Sequence, residues 1–266
     1  MRSKGLEGKI VKWWVRNNES AEEMDAEMIS GNIIKKNKNG ASTKMETGFI
    51  LINKPPGMTS HDVVDYLRKV TGIRKIGHAG TLDPMAEGLL ILGIGKRSTK
   101  NLSQFLKMDK EYVGKIKLGE VSNTYDKEGK IEKTPVKKIP SKKEVERVLG
   151  KFKGEILQAP PPFSAKKVKG KKLYQLAKRG IFLKAPPKKV KIQEIEILEY
   201  RFPYLKIRVK CSSGTYIRSL AHDIGKTLEC GGYLVELKRT KVGDFSLKKA
   251  HSLSEITKEN WQKFLL

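Results

Sequence analysis

"KIGHAGTLDPMAEGLLILGIG" (residues 75–95) passes from a glycine-punctuated turn straight into an apolar run. The run "GLLILGIG" reads as a buried strand. Asp83 stands in the turn that leads into it and is followed at once by Pro84. A carboxylate at such a place is most often a turn residue, because Asp hydrogen-bonds its own backbone there. On spacing alone, catalysis by this lone acid is the minority reading.

Outward from this strand, helices and strands interleave. "FILIN" (49–53) is a short strand stopped by Pro55, Pro56 and Gly57. Thr59 or Ser60 then caps a helix with Val63, Val64, Leu67 and Val70 on one face. "KEYVGKIKLG" (110–119) sets Tyr112, Gly114, Ile116 and Leu118 against Val113, Lys115 and Lys117, the alternation of a half-buried strand. Ser141 and Glu144 form a capping box that opens a short helix. "YLKIRVKCS" (204–212) turns Leu205, Ile207, Val209 and Cys211 inward and breaks at Gly214. The next helix places Ile217, Leu220, Ala221, Ile224 and Leu228 on one face. The pattern predicts an α+β domain: a mixed, mostly antiparallel sheet flanked by helices.

Two segments stand apart. Residues 1–46 read as an appendage without an assigned role. It holds a short strand in "KIVKWWVRN", a helix start at Ser20 and Glu23, and a linker, "KKNKNGAST". Its tandem Trp13 and Trp14 read as docking residues before base-stacking ones. The second, "APPPFSAKKVKGKKLYQLAKRGIFLKAPPKKVK" (159–191), is bracketed by prolines and dense in lysine, with Phe163, Tyr174 and Phe182 between the charges. Such a segment can track a phosphate backbone and stack bases. It is expected to be an inserted RNA-contacting arm over 158–190, with Lys166, Lys167, Lys171 and Lys172 as phosphate contacts.

The charge balance agrees. The 266 residues carry 55 Lys and Arg against 29 Asp and Glu, a formal charge of +26. An excess of that size repels itself in the folded state, and a polyanionic partner relieves it. No apolar stretch reaches the length of a membrane span, and the N-terminus has no signal-peptide core. The two cysteines, Cys211 and Cys230, make no metal cluster with the four scattered histidines, and they are expected to be reduced thiols of a cytoplasmic protein. Phosphate-loop, metal-ligand and Ser/His/Asp patterns are missing, so no cofactor and no metal are expected.

Four blocks change the odds at Asp83. "KPPGMTSHDVV", "GHAGTLDPMAEGLL", "KEYVGKIKLG" and "CSSGTYIRSLAHDIG" follow one another in the order seen in the TruB family of tRNA pseudouridine synthases. The resemblance covers residues 48 to about 256. It implies the pseudouridine synthase fold over 47–256 and isomerisation of the T-loop uridine of tRNA (uridine 55) to pseudouridine, with tRNA as partner and no obligatory protein partner. In this resemblance Asp83 of "LDP" is the nucleophile. A carboxylate suits the role because the base must leave C1′, turn and rejoin through C5 while something holds the activated intermediate. Arg218 of "GTYIRS" resembles the family arginine that pairs with that acid, and a guanidinium beside a carboxylate favours its charged form. Tyr112 of "KEY" resembles the tyrosine that packs on the target base. His78 of "GHAG" resembles the residue that fills the space left by the flipped uridine. Tyr216 and Leu237 match positions lining the uridine pocket, and Lys54 and Pro55 match a Lys-Pro turn that supports the site.

The sequence also departs from the family's pattern. A common "TDT" block reads Ser122, Asn123, Thr124 here, although Asp126 and Gly129 of the following turn remain. Residues 257–266 are expected to form a C-terminal helix, with no PUA-type module. A guide-RNA-directed synthase of the dyskerin type and a non-catalytic tRNA-folding chaperone are the alternative readings. Asp83, Tyr112 and Arg218 together argue against the second.

Overall fold

The computed structural model describes residues 32–36 and 42–266, apart from 165, 169, 178, 182 and 184. Trp13, Trp14, Ser20 and Glu23 lie outside the described residues. The linker expected over "KKNKNGAST" is bounded instead by two antiparallel strands, β1 (Asn32–Lys36) and β2 (Ser42–Glu46).

Everything that follows is organised by the strand quoted first. β5 (Glu87–Ile94) lies between β3 (Gly48–Lys54), which pairs with it antiparallel, and β14 (Gly232–Val242), which pairs with it parallel. Leu90, Leu92 and Ile94 face a core made with Ile50, Ile52 and the helix α1 (Ser60–Thr71). Leu89 and Ile91 face a second core with Leu51, Leu102 and Phe105. Burial on both faces is why the run is apolar at every position instead of every other one. α1 begins at Thr59, whose hydroxyl accepts from the amide of Asp62 while the Asp62 carboxylate accepts from the amide of Thr59.

The remaining strands extend the sheet on the far side of β14. β6 (Lys110–Leu118), β13 (Tyr204–Cys211), β12 (Lys188–Arg201) and β9 (Gly154–Gln158) complete the order β3-β5-β14-β6-β13-β12-β9. β4 (Ile76–Ala79) adds to β5 and β15 (Phe245–Ser246) adds to β14. Among the described strands of this sheet, β5 and β14 are the parallel pair. In β13, Leu205, Ile207, Val209 and Cys211 are buried and the residues between them are exposed, as the alternation requires. Cys211 and Cys230 are free thiols, both buried. Two helices cover the inner face of this half, α4 (Lys142–Gly150) and α6 (Ile217–Thr227). The short helices α2 (Gly95–Lys100) and α3 (Ser103–Leu106) connect β5 to β6. α4 starts at the expected box, the Ser141 hydroxyl accepting from the amide of Glu144. α6 carries Ile217, Leu220, Ala221 and Ile224 into the core.

The outer face of β6, β12, β13 and β14 is solvated and laddered with charge. Lys115 meets Glu236 at 3.3 Å, Lys238 meets Glu87 at 2.7 Å, Lys241 meets Glu111 at 3.3 Å, Lys210 meets Glu194 at 3.5 Å, and Arg208 pairs with Glu196. Exposed pairs of this kind add little stability. They do bring this face close to charge balance, so the basic excess of the chain lies on other surfaces.

The C-terminal segment differs from its expectation. Residues 257–266 contain a single 3-10 turn, Trp261–Phe264, and no α-helix. Leu265 bridges to Ile50, and the amide of Leu266 donates to the carbonyl of Phe49 at 2.8 Å. A segment this short gains too few helical hydrogen bonds to offset nucleation, whereas the open edge of β3 offers it partners. Trp261 is buried in the same core as α1.

One packing contact runs against helix propensity. Gly225 lies inside α6, where an alanine is ordinarily better by about 1 kcal/mol. A Cβ there would sit 2.3 Å from the backbone of both Gly231 and Gly232, where α6 rests on the start of β14. Gly225→Ala is therefore expected to destabilise the fold, by about 1–3 kcal/mol, measured by chemical denaturation. A stabilised variant would show that the contact is not tight.

Candidate active site

The turn carrying Asp83 is fixed from below. Ser60, the first residue of α1, accepts from the amide of Leu82 at 2.9 Å and donates to its carbonyl at 3.1 Å. Lys54, at the end of β3, is completely buried, and its ammonium donates to the carbonyls of Met58 (2.6 Å), Pro55 (2.8 Å) and Pro84 (3.4 Å). The Lys-Pro turn thus grips Pro84, the residue next to Asp83. Burial pulls the Lys54 amine down to about 8, with the charge of Asp83 acting in the opposite direction.

Arg218, one residue into α6, closes on Asp83 as a fork. Its Nε donates to Oδ2 at 2.8 Å and its Nη2 to Oδ1 at 3.1 Å. The rest of the guanidinium is equally occupied. Nη1 donates to the carbonyl of Thr124 at 3.1 Å and lies 3.3 Å from Asp126 Oδ2, and Nη2 donates to the carbonyl of Phe163 at 3.0 Å. A guanidinium has five N–H groups, and here each one has a partner. The side chain of Arg218 is 6% exposed and that of Asp83 35%, so the acid keeps an open side while its partner does not.

The sequence reading treated Asp126 as a turn residue, and the structure gives it more. Its Oδ1 accepts from Thr124 Oγ1 at 2.6 Å and from the amide of Glu128 at 3.0 Å, leaving Oδ2 for Arg218. The loop reaches this position through Tyr125, which adopts a left-handed φ of 64° and stacks on His222 of α6 with ring centroids 3.9 Å apart. Leu234 donates to the carbonyl of Tyr125 at 3.0 Å, pinning the loop to β14. The altered "SNT" block still closes this loop. Asn123 Oδ1 accepts from the amide of Lys130 at 2.9 Å, and Ser122 and Thr124 pair through their hydroxyls at 3.0 Å.

The other expected residues lie on β4, β6 and β14 and at the start of α6. Tyr112 faces the inner side of β6, where burial pushes its phenol up. Leu237 of β14 lies in the core that includes Leu82, Met85 and Ile217. Tyr216 is the N-cap of α6, and its backbone is clamped by one side chain: Gln158 Oε1 accepts from its amide at 2.8 Å and Gln158 Nε2 donates to its carbonyl at 3.1 Å. His78 lies on β4, where burial holds its imidazole below the usual value, and its Nδ1 is buried without a hydrogen-bond partner.

The lysine-rich segment leaves the sheet between the paired ends of β9 and β12, Gln158 opposite Lys188. It contains a two-residue hairpin, β10 (Lys167–Val168) with β11 (Lys171–Lys172), followed by α5 (Leu173–Ala177). Leu173, Leu176 and Ala177 are buried, so the segment has an apolar footing beneath its charges. Its base is tied to the site twice: the carbonyl of Phe163 accepts from Arg218, and that of Ala159 accepts from Ser219 Oγ at 2.8 Å. Lys188 sits close enough to Lys166 to hold that amine below its ordinary value.

With this geometry in place, comparison with known proteins is specific. A family model described as the N-terminal domain of TruB family pseudouridylate synthases matches residues 68–217, and one for the tRNA pseudouridylate synthase B C-terminal domain matches 218–264. The tRNA pseudouridine synthase B of Clostridium tetani is 45% identical over 219 residues, covering 82% of this chain and 75% of that protein. The protein of the same name from Caldanaerobacter subterraneus is 48% identical over 79% of this chain and 73% of its own length. Among solved structures, a Cbf5-Nop10-Gar1 complex matches with a TM-score of 0.63 and 29% identity, and an H/ACA RNP bound to a substrate RNA containing 2'-deoxyuridine with 0.60 and 27%. Each match covers 82% of this chain, which spans 59% and 58% of those two chains.

The buried amine supplies a test of the geometry that does not depend on activity. Unfolded, Lys54 recovers its ordinary value of 10.5, so between about pH 8 and 10.5 the unfolded chain holds a proton that the folded protein has released. The unfolded state binds more protons in that window, and the contribution of this group to stability rises with pH across it. Wild-type stability relative to Lys54→Met is therefore expected to improve between pH 8 and pH 10, measured by urea unfolding. Lys110, also near 8, titrates in the same window but is common to both proteins. A difference that stays constant with pH would contradict the burial of the amine.

Proposed function

The chain belongs to the TruB family of pseudouridylate synthases, and from that premise we propose that it isomerises the T-loop uridine of tRNA (uridine 55) to pseudouridine with Asp83 as nucleophile. The observation that carries the reading is the half-open Asp83 carboxylate, held by the fully occupied guanidinium of Arg218. In the reaction the C1′–N1 bond breaks, the base turns, and a C1′–C5 bond forms. C5 gives up its proton and N1 ends with one, so the product is an isomer of the substrate. The ionised carboxylate adds to the nucleotide and leaves again, carrying the intermediate between the two bonds. Arg218 fixes the carboxylate so that little ordering remains for the reaction itself.

A stacked uridine cannot reach Asp83, so it must leave the helix. In this proposal the flipped base lies against Tyr112, between Tyr216 and Leu237, and the weakly basic imidazole of His78 takes the vacated place in the loop. A neutral ring fits that space better than a charged one, which agrees with the direction of its shift. The lysines of the arm then run along the phosphates. Lys166 is crowded by Lys188, and a phosphate between two like charges relieves both. The higher identity to chains named tRNA pseudouridine synthase B than to the H/ACA chains favours action without a guide RNA.

Purified protein alone is expected to convert an unmodified tRNA transcript, and Asp83→Asn to abolish conversion while tRNA affinity stays nearly intact, since most affinity comes from phosphates. Nearest-neighbour analysis of the product measures the first and filter binding the second. Appreciable turnover by Asp83→Asn would overturn the assignment, a need for guide RNA would favour the dyskerin-type reading, and binding without conversion by the wild type would favour a chaperone. Separately, replacing Lys166, Lys167, Lys171 and Lys172 by glutamine is expected to flatten the dependence of log K on log salt by about 0.7–0.9 per lost contact. An unchanged slope would remove the arm from the interface.

A further inference from the structure

The largest fully buried side chain of the described residues is a charged one. Arg239 is 1% exposed. Its Nε donates to the carbonyl of Leu89 at 2.7 Å and its Nη2 to the carbonyl of Gly80 at 3.0 Å. The carboxylates at the site, Asp83 and Asp126, are both taken by Arg218, and none among the described residues pairs with Arg239. A buried cation without a counter-ion is costly, and an apolar residue would fill this inward position of β14 more stably. Stability does not explain its presence.

Its neighbours do. Across one edge of β14, Arg239 is the register partner of Tyr112 on β6, and its guanidinium interacts with the phenol. Across the other edge it is paired with Gly88 of β5, whose φ is +109° and where a Cβ would lie 2.4 Å from the Arg239 carbonyl oxygen. The strands approach this closely because Gly88 has no side chain. The Gly80 carbonyl is three residues ahead of Asp83, in the turn that delivers the acid. One side chain therefore spans the base-facing tyrosine, the approach to the nucleophile and the central strand.

We propose that Arg239 is a positioning residue for the isomerisation, tying the Tyr112 phenol and the Gly80 turn into one rigid wall of the base pocket. It rests on the synthase activity proposed above and acts through Tyr112, with no contact to the nucleotide. The positive charge also opposes the rise that burial imposes on the phenol, which keeps its O–H a better hydrogen-bond donor. A lysine at this position keeps the charge but not the fork that donates to both carbonyls.

The test uses the full chain and single-turnover conversion of a tRNA transcript at saturating enzyme. Arg239→Lys is expected to slow conversion by about tenfold or more, while the dissociation constant for tRNA stays within about threefold and the melting temperature within a few degrees. In a Tyr112→Phe background the same substitution should slow the residual reaction by less than about threefold, because its target is already gone. An undiminished rate in Arg239→Lys, a parallel loss of rate and affinity, or an equal penalty in both backgrounds would overturn the proposal. Wild-type protein that converts no uridine would instead overturn the synthase reading, so the two failures are distinguishable.

Discussion

The guanidinium of Arg218 is the point on which the site depends. A buried arginine must have its five N–H groups satisfied, and an unmet one is expensive where water cannot reach. The acceptors here come from three separate stretches of chain: Asp83 before β5, Thr124 and Asp126 after β7 (Glu120–Ser122), and Phe163 at the base of the arm. Each stretch is then held by something else. Ser60 holds the Asp83 turn, the Tyr125–His222 stack and Leu234 hold the loop, and Gln158 holds the entry to α6. Moving any one of them strands a donor or an acceptor, so the arrangement is over-determined in the way a preorganised catalytic group requires.

This dependence explains the place of the site in the fold. The matched family models divide between 217 and 218, inside the start of α6. The sheet does not divide there, because β14 from the second part lies between β5 and β6 from the first. Asp83 comes from the β5 side and Arg218 from the helix that leads into β14, so their pairing bridges the two parts across the centre of the sheet. β14 keeps β6 along one edge and takes β5 on the other at Lys238 and Arg239.

What was legible in the sequence was what side-chain periodicity encodes. The alternation in β13 and the continuous apolar run of β5 announce one-sided and two-sided burial through neighbouring residues alone. Asp83 and Arg218 were legible through motifs, not through physics, since they are 135 residues apart in sequence and nothing local joins them. Asp126 was underread for the same reason: its turn contacts are local and visible in the pattern, whereas its ion pair is not. Arg239 did leave a signal, a charged residue at an inward position of β14, between the exposed or half-buried Lys238 and Thr240. The C-terminal helix failed because "WQKFLL" has helical spacing of apolar residues, and periodicity cannot report that β3 presents an unpaired edge.

The two arginines divide a single electrostatic task. Arg218 meets carboxylates, so its charge is spent within the protein, and what it contributes is geometry at Asp83. Arg239 meets carbonyls and a phenol, so its charge is not cancelled and reaches Tyr112, His78 and the Lys54 amine. Left uncancelled, that charge acts on the Tyr112 phenol it holds. The near-balanced outer face of the sheet adds little to this field, and in the proposed function the arm lysines act at the phosphates. In the proposed function, capture by the arm and positioning of the acid thus draw on different cations, and the two meet at the carbonyl of Phe163, where the base of the arm accepts from Arg218.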